Sequence, residues 1–211
     1  MLLTSPLSSP LKNPVRDVFS PAGGSPSLTA QVQALFAGGK VGGMWDMGDT
    51  STLFQDTAGT TPVTAVTQPI GRVNDKSGNG NHATQPTAGS RPLYQVVSSY
   101  GCAQFDATDD ALLFPAITFG GAFNTFVAGK VTSGTQGVHL WRTADVNGTW
   151  AKYKSGDATT PTGTGSGSPT YAVNGTALSP SQQGQLYTQI NGVDCVVESI
   201  GVVLTAETAL Q

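Results

Sequence analysis

Ten consecutive residues, Asp75-Lys-Ser-Gly-Asn-Gly-Asn-His-Ala-Thr84, constrain the fold more than any others, because only a tight corner can be built from them. Gly78 and Gly80 take positive φ at no steric cost, and Asn79 and Asn81 are the residues next most willing to do so. The corner sits between two runs of alternating apolar residues, so it is expected to join strands, with Asp75 bonding the amides of its own loop in an Asx-turn. Asp75, Ser77 and Asn79 ahead of Gly80 also place side-chain oxygens at alternate positions, as the opening of a calcium loop does. The twelfth position is Pro86, where such a loop needs a bidentate glutamate. A self-bonded turn is the first expectation; a Ca2+ corner is the second.

Upstream, five of the thirteen prolines fall at positions 6, 10, 14, 21 and 26, and no helix persists through that spacing. Leu3, Leu7, Leu11, Val15 and Phe19 recur through this leader and would be poor residues for a solvated linker. The expectation is an extended arm ordered against a partner, with disorder as the alternative. From Ser27 to Ala37 a serine cap precedes Leu28, Val32, Leu35 and Phe36 at helical spacing, and Gly38-Gly39 stops the run. One short amphipathic helix is expected there, so residues 1–40 form an arm and helix ahead of a β domain at 41–211.

Beyond Val41 the pattern changes to short strands separated by glycine, proline and asparagine turns. Strands are expected near 42–46, 71–73, 82–85, 93–96, 102–106, 110–114, 122–131, 137–142, 149–153, 170–173, 185–190 and 195–204. Such spacing means a β-sandwich or barrel rather than βαβ units. Ser51–Gln55 reads as a single helical turn capped by Asp49. Ala158–Pro169 is low in complexity and poor in apolar residues, and a mobile loop is expected there.

Composition narrows function. Charged residues make up 11% of the chain, against about a quarter in ordinary soluble domains, so the surface is covered with neutral hydroxyls and amides. The ten basic residues are scattered, which argues against nucleic acid, since phosphate neutralisation needs a concentrated basic face. Met1–Leu7 lacks the basic region and apolar core of a secretory signal, and no run reaches the roughly 20 apolar residues of a membrane span. No membrane insertion is expected, and synthesis in a reducing cytoplasm follows. Cys102 and Cys195 are then expected as buried thiols in separate strands, a disulfide being the alternative.

No catalytic set stands out, and a non-enzymatic protein is expected. His82 and His139 belong to no metal-binding or triad pattern; His82 is expected to bond a backbone group. A glycosidase needs two carboxyl groups about 5 to 9 Å apart in one cleft, and the only glutamates are Glu198 and Glu207. Asp106, Asp109 and Asp110 read first as a polar hairpin turn and second as metal ligands joined to Asp75. Trp141, Trp150 and Tyr153 cluster with Asp145 and Asn147, the mixture of rings and polar groups that a sugar site requires. Core or interface anchoring is the plainer reading of those rings. Trp45 is assigned to the core.

One resemblance draws several of these stretches together. Met44–Thr64, with its Ser-Thr-Leu-Phe-Gln-Asp and Ala-Gly-Thr-Thr-Pro-Val segments, is followed by Gly71-Arg72, the corner, Arg91-Pro92-Leu93 and Phe105–Leu113. In that order they resemble bacteriophage virion proteins with a concanavalin A-like, laminin-G-like jelly roll. The likeness covers about residues 44–113, is weak from 120 onward except at Val197–Glu207, and leaves out residues 1–40. It implies an all-β jelly-roll sandwich in a virion structural protein of the tail tip, a fibre or the capsid surface. Other virion proteins and further copies of the chain would be its partners, with the arm as anchor; host-surface glycan binding is the alternative role.

Overall fold

The computed structural model describes residues 26–131, 138–142, 150–153, 163–164, 170–178, 186, 190, 192 and 194–202. The chain divides into two units, Met1–Lys40 and Val41–Gln211.

In the first unit the described part is built on α1 (Leu28–Ala34). The Ser27 hydroxyl accepts the Ala30 amide at 3.2 Å, satisfying one of the donors that a helix start leaves unpaired. The helix is shorter than the apolar spacing implies. Past Ala34 the amides of Leu35, Phe36 and Ala37 bond three residues back, and Gly38 and Gly39 both stand at φ +75°. No residue of α1 is buried, and Leu28 and Leu35 are 76% and 62% exposed.

The second unit is all-β, with every strand pairing antiparallel. β1 (Leu53–Phe54), β2 (Arg72–Val73) and β3 (Ala83–Thr84) form a small sheet in that order, and β4 (Leu93–Val97) pairs with β5 (Tyr100–Gln104) in a hairpin. Ser98 and Ser99 join the hairpin at φ 50° and 72°, the sign of a two-residue turn whose twist matches the strands. Next come β6 (Phe123–Gly129), β7 (Val138–Arg142), β8 (Trp150–Tyr153), β9 (Gly163–Thr164), β10 (Thr170–Val173), β11 (Thr176–Ala177) and β12 (Cys195–Val202). They make one sheet in the order β11-β10-β12-β6 and another in the order β7-β8-β9.

Two apolar clusters lie beneath these sheets. Leu53, Val63, Ile70, Val73, Ala83, Tyr94 and Leu112 form the first, with Trp45 and Phe114 packed against it at a ring separation of 4.2 Å. Val131, Val173, Leu186, Ile190, Cys195 and Val197 form the second. Each fully buried aliphatic side chain contributes about 1.5–3 kcal/mol, so Leu53, Ile70, Leu186 and Ile190 are principal anchors.

Three expected strands are not found among the described residues. Residues 42–46 carry no ladder, because side chains of the corner take up their backbone groups. Residues 110–114 make one isolated bridge, Thr84 to Leu113. Within 185–190 the two described residues, Leu186 and Ile190, are helical. The helical turn at Ser51–Gln55 is a 3₁₀ turn at Thr50–Thr52, capped by Asp49 as its sequence implies, and β1 follows at once. Of the low-complexity loop 158–169, Gly163–Thr164 lies in β9, paired with β8; the rest is outside the described residues. Cys102 in β5 and Cys195 in β12 are free thiols. Among the described residues no helix is long and apolar enough to cross a membrane.

Candidate functional site

The corner is closed by its own carboxylate. Asp75 Oδ1 accepts the amides of Met44 and Ser77, each at 2.8 Å, while Oδ2 accepts the Ser77 hydroxyl at 2.7 Å and the Asn81 amide at 2.9 Å. The Asp75 amide in turn donates to His82 Nδ1 at 3.0 Å, so His82 does bond a backbone group. Burial pushes the Asp75 carboxyl up, but the donors from Met44, Ser77 and Asn81 outweigh it and hold the group below the ordinary carboxylate range.

The same corner fastens the segment entering the second unit. Gly42 O accepts the side-chain amides of both Asn79 and Asn81, at 3.0 and 2.7 Å. The Trp45 indole donates to Asn81 O at 2.8 Å, and the Lys76 amide to Met44 O at the same distance. Lys76 Nζ then reaches Asp49 at 2.7 Å and Asp46 at 3.1 Å. Its bond to Asp49 raises the lysine and lowers that aspartate.

Asp75, Ser77 and Asn79 lie in one loop, and Asp75 accepts from Ser77 and Asn81 within it, which is the self-bonded turn expected first. Asp106 and Asp109 come together elsewhere, with Asp110 as the third carboxylate; ligand atoms of the three lie within 4.8 Å of one another. Asp106 accepts the Thr108 amide at 2.7 Å, Asp110 accepts the Asp106 amide at 2.9 Å, and Asp109 accepts the Ser90 hydroxyl at 2.7 Å. Burial, with the charges of Asp106 and Asp109, raises Asp110. Asp106, Asp109 and Asp110 are the described residues best disposed to hold a cation, and Asp75 is not one of their group.

Two arginines staple backbone. Arg91 donates to the carbonyls of Gln85, Gln55 and Pro86 at 2.9, 3.0 and 3.3 Å, and Arg72 to those of Thr57 and Ala58 at 3.4 and 3.5 Å as well as to Asn74 Oδ1 at 2.8 Å. Sequence reasoning did not foresee these roles. A guanidinium's fixed fork beside proline-interrupted backbone was the available clue.

The candidate sugar cluster is divided by register. Trp141 pairs with Ala151 and Trp150 with Arg142, so alternation along β8 sets positions 141 and 153 on one face of the β7–β8 ladder and position 150 on the other. Asp145 and Asn147 lie outside the described residues. So do Leu3, Leu7, Leu11, Val15 and Phe19 of the arm; Leu35 and Phe36 follow α1, exposed and half-buried respectively. Glu198 lies in β12, facing Phe126 across the ladder, and Glu207 is outside the described residues.

Comparison with protein-family models, with curated protein sequences and with solved structures returned no match to this chain in any of the three.

Proposed function

We propose that the chain is a non-enzymatic structural protein of a phage virion, made in the host cytoplasm, anchored by its N-terminal leader. In this reading the β unit is a laminin-G-like jelly roll that projects as part of a tail tip, a fibre or a capsid decoration. The motif order across residues 44–113 is the source of the family and the fold type.

One observation carries the anchoring role. A seven-residue helix is too short to be stable on its own, and α1 nevertheless has no buried residue, with Leu28 at its start and Leu35 just past its end both exposed. An apolar stripe of that kind gains its stability from a surface it docks on. The preceding leader repeats the same apolar spacing, so arm and helix would dock together on other virion proteins.

Deleting residues 1–36 should leave a folded β unit that no longer enters particles, read by circular dichroism and by particle composition after complementation. Normal incorporation of the truncated chain overturns the assignment.

Host-glycan adhesion is the second reading, favoured by the shared face of positions 141 and 153. A glycan array then separates the two tryptophans: Trp141→Ala abolishes binding and Trp150→Ala does not. Binding that survives Trp141→Ala rules this reading out.

A further inference from the structure

We propose that the β unit binds an internal water molecule between β6 and β12, where it bridges the hydroxyls of Thr125 and Ser199 beside a bulge in the ladder. The inference concerns these two strands and stands independently of the assembly role.

Register brings the two hydroxyls together. β12 meets β6 through the pairs Cys195–Gly129, Val197–Val127 and Ser199–Thr125, so these alternate residues share one face of the sheet. Cys195 and Val197 belong to the second apolar cluster, which makes that face the inner one. Ser199 and Thr125 therefore stand opposite each other on the inner face. Ser199 is fully buried, and its neighbour across the other edge of β12 is Tyr171, which is buried as well.

Thr125 is half-buried, but its Oγ1 is closed off from solvent and bonds no protein group. Nearly all buried polar groups in folded proteins have a partner, either protein or ordered water, because a hydroxyl stripped of one is costly. The nearest candidate by register is the Ser199 hydroxyl, yet the two do not bond each other. Residues opposed in an antiparallel pair hold their Cβ atoms about 4.5–5.5 Å apart, a spacing at which a water can bond both hydroxyls at once. Whatever else Ser199 engages, a hydroxyl oxygen has two lone pairs and one hydrogen, which leaves it room for this bond.

The bulge supplies a third partner. Beyond Ser199–Thr125 the next pair is Val202–Phe123, so Ile200 and Gly201 of β12 are set against Asn124 alone on β6. A bulge leaves its extra residue out of the ladder, with main-chain polar groups turned away from the partner strand. An internal water makes about three bonds to groups of this kind. Two hydroxyls and one main-chain group of Ile200 or Gly201 complete that set. The water thereby fastens β6 to β12 at the point where the ladder itself is interrupted.

The test reads hydration and stability on the full chain. In the wild type, nuclear Overhauser spectra should show a long-lived water at the Thr125 methyl group. Oxygen-17 relaxation dispersion should then count one internal water fewer in Thr125→Val, which keeps the shape and loses the hydroxyl, and the full number in Thr125→Ser. The sign of the stability change is the second readout. If a water bridges the pair, Thr125→Val leaves that water and Ser199 each a bond short, and its urea midpoint falls below that of wild type. If the hydroxyl has no partner, the same change removes a penalty and the midpoint rises. A midpoint that stays or rises, or an unchanged water count in Thr125→Val, overturns the site. A dry Thr125 methyl in the wild-type chain overturns it whether or not the valine variant folds.

Discussion

The Met44 amide donates to Asp75 Oδ1 at 2.8 Å across 31 positions of sequence. That bond takes the place of the ladder pairing expected for residues 42–46. A side-chain acceptor tolerates the irregular backbone that Gly42 and Gly43 impose, whereas a strand partner would not. The carboxylate is thus the joint between the entering segment and the corner.

Asp75→Ala removes the acceptor of four donors, three of them backbone amides. The expected loss is about 2–3 kcal/mol, since buried donors left unpaired cost of that order. Urea denaturation should show a lower midpoint, with Asp75→Asn falling between the two. Added calcium should shift the melting temperature little, because the carboxylate is engaged by protein; a large shift abolished in Asp75→Ala would reverse this view.

The pH dependence follows from the same groups. Donors lower Asp75, Asp49 and Asp106 in the folded state, so their stabilisation is complete above the ordinary value of about 3.9 and is lost as pH falls through the depressed values. Asp110, raised by burial, opposes this weakly by shedding a penalty on protonation. At the other end Lys76 is raised by Asp49, and burial pushes Tyr171 up to about 12. Stability held by Lys76 goes as pH rises past its raised value; Tyr171 opposes folding once the unfolded phenol ionises near 10. Thermal melts should therefore be flat from about pH 5 to 9 and fall on both sides. A steep slope inside that window would contradict the assignment.

What could be read from sequence was whatever short-range chemistry decides. The turn at 75–84, the Asp49 cap and the strands β4 and β5 depend on residues within a few positions of one another, and each occurs near where its residues imply. What was missed depends on distant partners. Nothing near Arg91 announces that Gln55 O will meet it, and nothing near Gly42 announces two asparagine amides. At 185–190 the two described residues, Leu186 and Ile190, are helical where a strand was expected: their spacing fits a strand's even period as well as a helix's, and a segment so short cannot separate the two. Of the three rings in the candidate sugar cluster, register keeps positions 141 and 153 on one face and sets 150 on the other, which nearness in sequence does not reveal.

Gly71 makes a sharper test of packing. A Cβ there would run into the carbonyl of Gln55, which is backbone already held by Arg91. Gly71→Ala should cost about 2–4 kcal/mol, while Gly89→Ala, with open space around it, should stay within about 0.5 kcal/mol. Equal midpoints for the two variants in urea would refute the contact.

Burial predicts a similar contrast between Ile70 and Tyr100. Ile70 is fully buried in the first cluster and Ile70→Ala should cost about 2–5 kcal/mol. Tyr100 is 78% exposed beside the hairpin turn, and Tyr100→Ser should change stability by less than about 1 kcal/mol. Calorimetry on both variants checks this, and a large loss at Tyr100 would mean the ring is covered in solution.

Every member of the first apolar cluster, with the aromatic pair that leans on it, falls between Trp45 and Phe114. During synthesis all of those residues are translated before β6. The leading half can accordingly close while the trailing half is still being made, sparing the nascent chain a long interval with its oiliest side chains bare. Arrested chains ending near residue 150 should already shield Trp45 from quencher; a ring still open at that length would mean that the two halves fold together.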